Sequence, residues 1–359
     1  MLAGNLPPAT KVTLTRGTKI VKVSRFLKVA AAVSVAALAF AGCSANTTGS
    51  ATKFSATPNT SGKGISVVVM GGAPSDSFWS VVKNGTLDAA MAIENAGGKV
   101  TVLSMPNYDN FNADAAKLVD KMLTLNPSAV VIPDWVPDSM NEGIKKLKAA
   151  GVKVILYNSG QGEVANVGAE IYIGSDDYVA GKQGGAYFVA KGAKHIICIN
   201  TLPGLANIEA RCKGVKDGAT GAITTELNLP SSSFGNASAV TQAIKAAITK
   251  DPTIDALVTI GDADADSAAE AIKQANAADK VKLGGISVNP QSLARVKAGT
   301  QLFAVDQQGY AQGYYATSYA FQLAAYAISM PVTQLLTGPS LIDSTNVEKV
   351  LAVAKSGRR

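Results

Sequence analysis

Histidine and cysteine are scarce in this chain, with one His and three Cys in 359 residues. The single His195 stands at the entrance of a predicted strand with no nucleophile elbow beside it. It reads as a structural histidine, and a Ser–His hydrolase has nothing to work with. No cysteine or histidine spacing suits a metal, and no loop ending in Gly-Lys-Ser/Thr suits a nucleotide phosphate, so neither metal nor cofactor is expected. Aromatics make up 6% of the residues and are not interleaved with Arg or Lys. That removes the stacking-plus-charge pattern of a single-strand nucleic-acid binder. Long hydrophobic runs are missing too. The nearest to transmembrane length, YYATSYAFQLAAYAISM, is interrupted by Ser, Thr and Gln and reads as a buried helix.

Acidic residues are absent from the first 42 positions, which carry Lys11, Arg16, Lys19, Lys22, Arg25 and Lys28. An apolar stretch of about a dozen residues follows and ends in small residues, the layout of a secretory signal. Its last residues, Phe40-Ala41-Gly42-Cys43, resemble the bacterial lipobox with Phe in place of the usual Leu. The likeness implies acylation of Cys43 and a tether to the cell membrane. Removing residues 1–42 leaves 27 Lys and Arg against 26 Asp and Glu, so the formal charge falls from +7 to +1. The basicity belongs to targeting and gives no reason to expect nucleic acid. Residues 43–62, rich in Ser, Thr, Asn, Ala and Gly, bury too little to fold and read as a flexible linker.

The remaining chain exceeds the usual size of one hydrophobic core, which predicts two lobes. From Lys63 onward, short β-branched runs alternate with stretches whose apolar residues recur every three or four positions. ISVVVMGG, KVTVLSM, AVVIP and KVILYN are predicted strands with helices between them. The pattern restarts at KHIICIN, ELNL, DALVTIG and VKLGGIS, then LFAVDQ and a long helix over 309–329. Alternation of this kind means α/β architecture with parallel sheets. Cys198 lies in HIICIN and Cys212 in the next helix. An exported compartment permits a bridge, but strand-to-helix geometry often exceeds disulfide reach, so two buried thiols are favoured.

Ligands of open parallel sheets sit beyond the carboxyl ends of the strands. The residues there are Asp76, Phe78 and Trp79; Asp134; Asn158; Arg211; Asp262; Ser287 and Asn289; and Gln307. Carboxylates, amides, a guanidinium and aromatic rings suit an uncharged polyhydroxylated ligand: planar groups bond vicinal hydroxyls and rings cover C–H faces. Several of these residues have a plainer reading. Phe78 and Trp79 would serve as core, Asp134 as a turn cap, Asp262 as a helix cap, and Asn289 before Pro290 as a turn signal. Arg211 would pair with Glu209 or Asp217 on its own helix.

Several segments in order resemble the ribose/galactose-binding family of ABC-importer substrate-binding proteins, the type I periplasmic-binding fold. These are Asp76-Ser77-Phe78-Trp79 after the first strand, AVVIPDWVPDSM, KVILYNSG, YIGSDDYVAGKQGGAYF, Arg211 with Gly214, and Gln307 with Gly313. The resemblance implies two Rossmann-like lobes joined by a three-strand hinge. The first is 63–172 plus 309–340, and the second 175–306 plus 344–359, with crossings near 172–175, 306–308 and 341–344. It implies ligand contacts from the residues above and from Phe234, where the family places a stacking aromatic. It further implies a non-catalytic monomer that binds a sugar or polyol and delivers it to a membrane permease and ATPase. Asn158-Ser159, Gly261-Asp262 and Ile286-Ser287 depart from the family's carboxylate-bearing strand ends, leaving the particular sugar open. A sensor presenting ligand to a membrane receptor, or a binder of a non-sugar signal, is the alternative. A sugar-responsive transcription regulator of the same fold would need a basic helix-turn-helix where this chain has a signal and spacer.

Overall fold

The computed structural model describes residues 60–359. Cys43, the signal and most of the linker lie outside the described residues. In chain order the first block comprises β1 (Ser66–Gly71), α1 (Ser77–Asn95), β2 (Lys99–Ser104), α2 (Phe111–Leu125), β3 (Ala129–Ile132), α3 (Pro137–Ala149), β4 (Lys153–Tyr157), α4 (Val164–Val167) and β5 (Ile171–Ser175). The second comprises α5 (Asp177–Ala190), β6 (His195–Asn200), α6 (Ala206–Gly218), β7 (Ile223–Asn228), α7 (Ala237–Lys250), β8 (Ala256–Thr259), α8 (Asp262–Gln274), β9 (Lys282–Gly285), α9 (Pro290–Ala298) and β10 (Phe303–Asp306). Then come α10 (Gly309–Tyr326), β11 (Gln334–Gly338), β12 (Ser340–Ile342) and α11 (Val347–Val353).

Two six-stranded sheets result, in the orders β11-β5-β4-β3-β1-β2 and β12-β10-β9-β8-β6-β7. The central strands β3, β6 and β8 are buried along their whole length, and β4 beyond its first residue Lys153, which is why they read as near-continuous apolar runs. Pairing is parallel except between β10 and β12 at one edge, which run antiparallel. Helix α10 packs on α1 and lies against β3 and β4 of the first sheet.

Three crossovers join the sheets, at 175–177, 306–309 and 338–340, and they touch one another. Asp176 N–H donates to the Gly338 carbonyl (3.1 Å), and Thr337 Oγ1 to the Gln307 carbonyl (2.8 Å). The third crossover falls earlier than the 341–344 that the resemblance implies, because 340–342 pairs with β10 as an edge strand. The chain end departs from the expected assignment of 344–359 to the second lobe alone. Val347 and Ala354 pack with Leu293 and Val296 of the second block, but Arg358 pairs with Asp88 of α1 (2.9 Å).

Cys198 and Cys212 form a disulfide, their Cα atoms 5.7 Å apart. This corrects the expectation of two free thiols. Cys198 faces α6 rather than the other side of the sheet, a choice of strand face that the all-apolar run around it does not reveal. A bridge closing so short a loop stabilises a fold by about 3 kcal/mol. His195 is structural: Nδ1 lies 2.8 Å from Thr253 Oγ1 and Nε2 3.2 Å from Thr225 Oγ1.

Candidate functional site

A cavity of about 110 Å³ lies between the two sheets, beyond the carboxyl ends of β1, β6 and β8. A water needs roughly 10–15 Å³ on this measure, so the space suits one small ligand of on the order of ten non-hydrogen atoms.

The first block contributes the start of α1. Asp76 is its N-cap: Oδ1 accepts from Phe78 N–H (3.0 Å), and Oδ2 accepts from the Tyr108 hydroxyl (2.8 Å). Burial, and then the Asp262 carboxylate, push the Asp76 pKa up to about 7. Phe78 and Trp79 both line the cavity. Trp79 is also core, edge-on to Trp135 at 5.4 Å and to Tyr157 at 6.0 Å, so the two readings of this residue hold together. Phe111 continues the aromatic wall, 5.2 Å from Trp135. Asn158 lines the floor. Its Oδ1 accepts from Trp135 Nε1 (3.3 Å) and its Nδ2 donates to Gln312 Oε1 (3.2 Å).

The second block contributes Arg211 from α6, only 4% exposed. Its Nε donates to Asp177 Oδ1 (2.7 Å), Nη1 to the Ile260 carbonyl (2.7 Å) and Nη2 to Gln307 Oε1 (2.5 Å). Neither Glu209 nor Asp217 is its partner. Burial raises the Asp177 pKa to about 6, with the Arg211 charge holding it down. Asp262, Ser287, Phe234 and Gln307 also line the cavity. Gly261, not Asp262, is the N-cap of α8, so the Asp262 carboxylate is left for the cleft. Burial raises its pKa, opposed by bonds from Ser287 and Ser77. Asp264 stands behind it, accepting from Thr201 Oγ1 (2.9 Å), and burial lifts its pKa to about 7.

The walls meet across the cleft. Ser77 Oγ donates to Asp262 Oδ2 (2.7 Å), Ala206 N–H donates to the Trp135 carbonyl (2.9 Å), and the Tyr108 and Phe234 rings are 4.9 Å apart. Each contact pairs one block with the other, so the lobes are in a closed arrangement.

Two sequence expectations are corrected. Asp134 is fully buried and does not line the cavity. The chain turns at Trp135, whose N–H donates to the Pro133 carbonyl (3.0 Å). That turn presents the indole to the cleft and Asp134 to the 158–163 loop, where Gly160 leaves room beside it. Asn289 is also outside the cavity. Its Oδ1 accepts from Ser292 N–H (2.6 Å) in a capping box at the start of α9, so the turn reading was the right one. Sequence reasoning missed Tyr108 and Asp177, and it placed Trp135 at a strand end without assigning it to the site. Trp135 carried a signal, being next to a chosen strand-end residue. Tyr108 lies four residues past β2, and Asp177 needed its contact with Arg211 to be noticed.

A family profile described as "periplasmic binding protein domain" matches residues 67–327. No curated protein matches the sequence. Among solved structures, a carbohydrate transporter from Acidothermus cellulolyticus 11B in complex with myo-inositol is 26% identical. It superposes with a TM-score of 0.75 over 82% of this chain and 99% of its own. A glucose-galactose binding protein from Geobacillus stearothermophilus is 17% identical, with a TM-score of 0.69 over 78% of this chain and 98% of its own. A solute-binding protein from Burkholderia graminis C4D1M in complex with D-arabinose is likewise 17% identical, with a TM-score of 0.68 over 79% and 96%. At that identity the last two share the fold alone.

Proposed function

Because the chain belongs to the periplasmic binding protein domain family, we propose that it is the extracytoplasmic receptor of an ABC importer, holding one sugar or polyol between its lobes. The observation that carries this reading is the interlobe cavity, walled by aromatic rings and by carboxylates, amides and a guanidinium. The 26% identical relative carrying myo-inositol supports it. The family's work is binding, and no bond-breaking step is assigned. Asp76, Asn158, Arg211, Asp262, Ser287 and Gln307 bond the hydroxyls, while Phe78, Trp79 and Phe234 cover the ring, joined by Trp135 and Tyr108. The crossovers act as the hinge between a first lobe carrying α10 and a second lobe carrying β12 and α11. The permease and ATPase of the importer are the partners, and the receptor acts as a monomer.

Thermal-shift measurements with myo-inositol, arabinose, glucose and galactose test the ligand class. A ligand at a hundred times its Kd stabilises the folded state by about 2.7 kcal/mol, on the order of 5 °C for a protein of this size. No shift with any polyol removes the reading. Binding also selects the closed arrangement, so the radius of gyration should fall on saturation in small-angle scattering. An unchanged radius counts against hinge closure.

Cys43 is the membrane tether in this proposal, supported by the basic leader, the apolar run and the Gly42-Cys43 junction. Cys43→Ala is expected to move the protein from the detergent phase to the aqueous phase of a phase-separation assay. Equal partitioning of wild type and variant would show that Cys43 carries no lipid.

A further inference from the structure

Charge in the cavity is one-sided. Asp76 and Asp262 face it from opposite lobes, with Asp264 directly behind, and among the described residues the single cation on its walls is Arg211. Arg211 is already bound to the buried Asp177 at 2.7 Å, so its charge is matched before any ligand arrives. The groups that hold the other carboxylates are neutral: the Tyr108 and Ser77 hydroxyls and the Phe78 N–H for Asp76 and Asp262, and the Thr201 hydroxyl for Asp264. Hydroxyl and amide donors satisfy lone pairs without cancelling charge. A buried pair of like charges is relieved either by taking up a proton or by a cation placed between them.

Two further features of the same cavity favour the cation. Phe78, Trp79 and Phe234 line it, and the face of an aromatic ring attracts a desolvated ammonium. Asn207 lines the cavity with a buried Oδ1 that has no hydrogen-bond partner among the described residues. It is an acceptor left without a donor on a residue of the cavity wall. A hydroxyl brings one donor to such a place, whereas an ammonium brings three and a charge.

We propose that the cleft prefers an amine-bearing polyol, an amino sugar or aminocyclitol in its protonated form, over the parent with a hydroxyl at that carbon, and seats the ammonium between Asp76 and Asp262. This rests on the reading of the cleft as a sugar or polyol site. Proton linkage supports it. The Asp76 carboxyl, held near 7 by burial and by Asp262, keeps its proton below that pH and must release it to accept the ammonium. Asp262 and Asp264 face Asp76 and are raised in the same sense, Arg211 opposes them, and Tyr108 donates to Asp76. Amine affinity therefore rises with pH up to about 7, as Asp76 gives up its proton, and falls again once the pH passes the pKa of the amine itself.

Calorimetry on the intact protein with two matched pairs, glucosamine against glucose and an amino-deoxy-inositol against myo-inositol, tests the inference. At pH 7.5 the amine of at least one pair should bind about tenfold tighter or more. That advantage should shrink toward pH 5.5, with protons released to the buffer on binding. Asp262→Asn should bring the amine-to-hydroxyl ratio toward one. Neutral parents binding as tightly as their amines at pH 7.5 would overturn the inference and leave the polyol reading standing. Binding of no member of either pair would overturn the inference, and the polyol reading falls with it only if arabinose and galactose fail as well.

Discussion

Replacing Arg211 with alanine is expected to reduce ligand affinity by about thirty-fold to several-thousand-fold, the range for removing one partner of a buried, hydrogen-bonded charge pair. Three contacts disappear at once: those to Asp177, to the Ile260 carbonyl and to Gln307. The contact to Gln307 ties α6 to the second crossover, so its loss also loosens closure. Stability should fall by about 3–5 kcal/mol, because Asp177 is left buried without its counter-ion. The pH dependence follows from Asp177. Its folded pKa, about 6, already exceeds the ordinary carboxylate value, and loss of the guanidinium raises it further. A carboxyl raised in the folded state destabilises once pH exceeds its unfolded pKa, and the penalty grows until pH passes the folded value. The variant's deficit in melting temperature should therefore be larger at pH 7.5 than at pH 5. Arg211→Lys keeps the charge but cannot bond three partners in a plane, and should not restore affinity. Arg211→Ala with Asp177→Asn should recover melting temperature without recovering binding, which separates the two roles. Wild-type affinity in Arg211→Ala would remove this residue from the site.

Strand–helix alternation made the fold legible, since β1, β3, β4, β6 and β8 are short β-branched runs and the helices between them carry apolar residues at helical spacing. The strand-end rule then found the cavity wall at Asp76, Phe78, Asn158, Arg211, Asp262 and Gln307. It failed where a single residue of phase decides the outcome. Asp134 and Trp135 are neighbours after β3, and the turn sends one under the loop and the other to the cleft. Position after a strand does not encode that choice. Asn289 shows the opposite failure: a local capping box used up a side chain that was otherwise well placed. Cys198 sits in a strand apolar on both faces, so pattern alone could not say which face meets α6. The third crossover was misplaced because 340–342 is an edge strand of three residues with no periodicity to read. Asp177 and Tyr108 became visible only through contacts with residues 34 and 32 positions away.

Gly181→Ala is expected to lower the melting temperature by about 2–4 °C and to weaken ligand binding tenfold or more, though the change lies in a helix interior where alanine normally gains about 1 kcal/mol over glycine. The reason is how α5 and α6 meet. Gly181 and Gly185 lie four residues apart on one face of α5, and Gly214 and Gly218 on one face of α6. A Cβ at Gly181 would lie 2.0 Å from the Arg211 carbonyl oxygen, and one at Gly214 2.2 Å from that of Tyr178, both far inside van der Waals contact. The first lobe repeats the device, with Gly85 of α1 against the Tyr310 carbonyl and Gly313 of α10 against that of Val82. Backbone cannot rotate away as a side chain can, so the methyl group separates the helices, and overpacking of that kind costs about 1–3 kcal/mol or more. It exceeds the propensity gain. Separation also moves Arg211, whose own carbonyl is the atom struck, away from Asp177 and Gln307, so affinity falls with stability. Gly162→Ala is the control: nothing lies near its added Cβ, and the change should stay within about 0.5 kcal/mol. Thermal denaturation and calorimetry on both variants decide the matter. A Gly181→Ala protein that melts higher than wild type and binds as tightly would mean that the helices yield without disturbing the cleft.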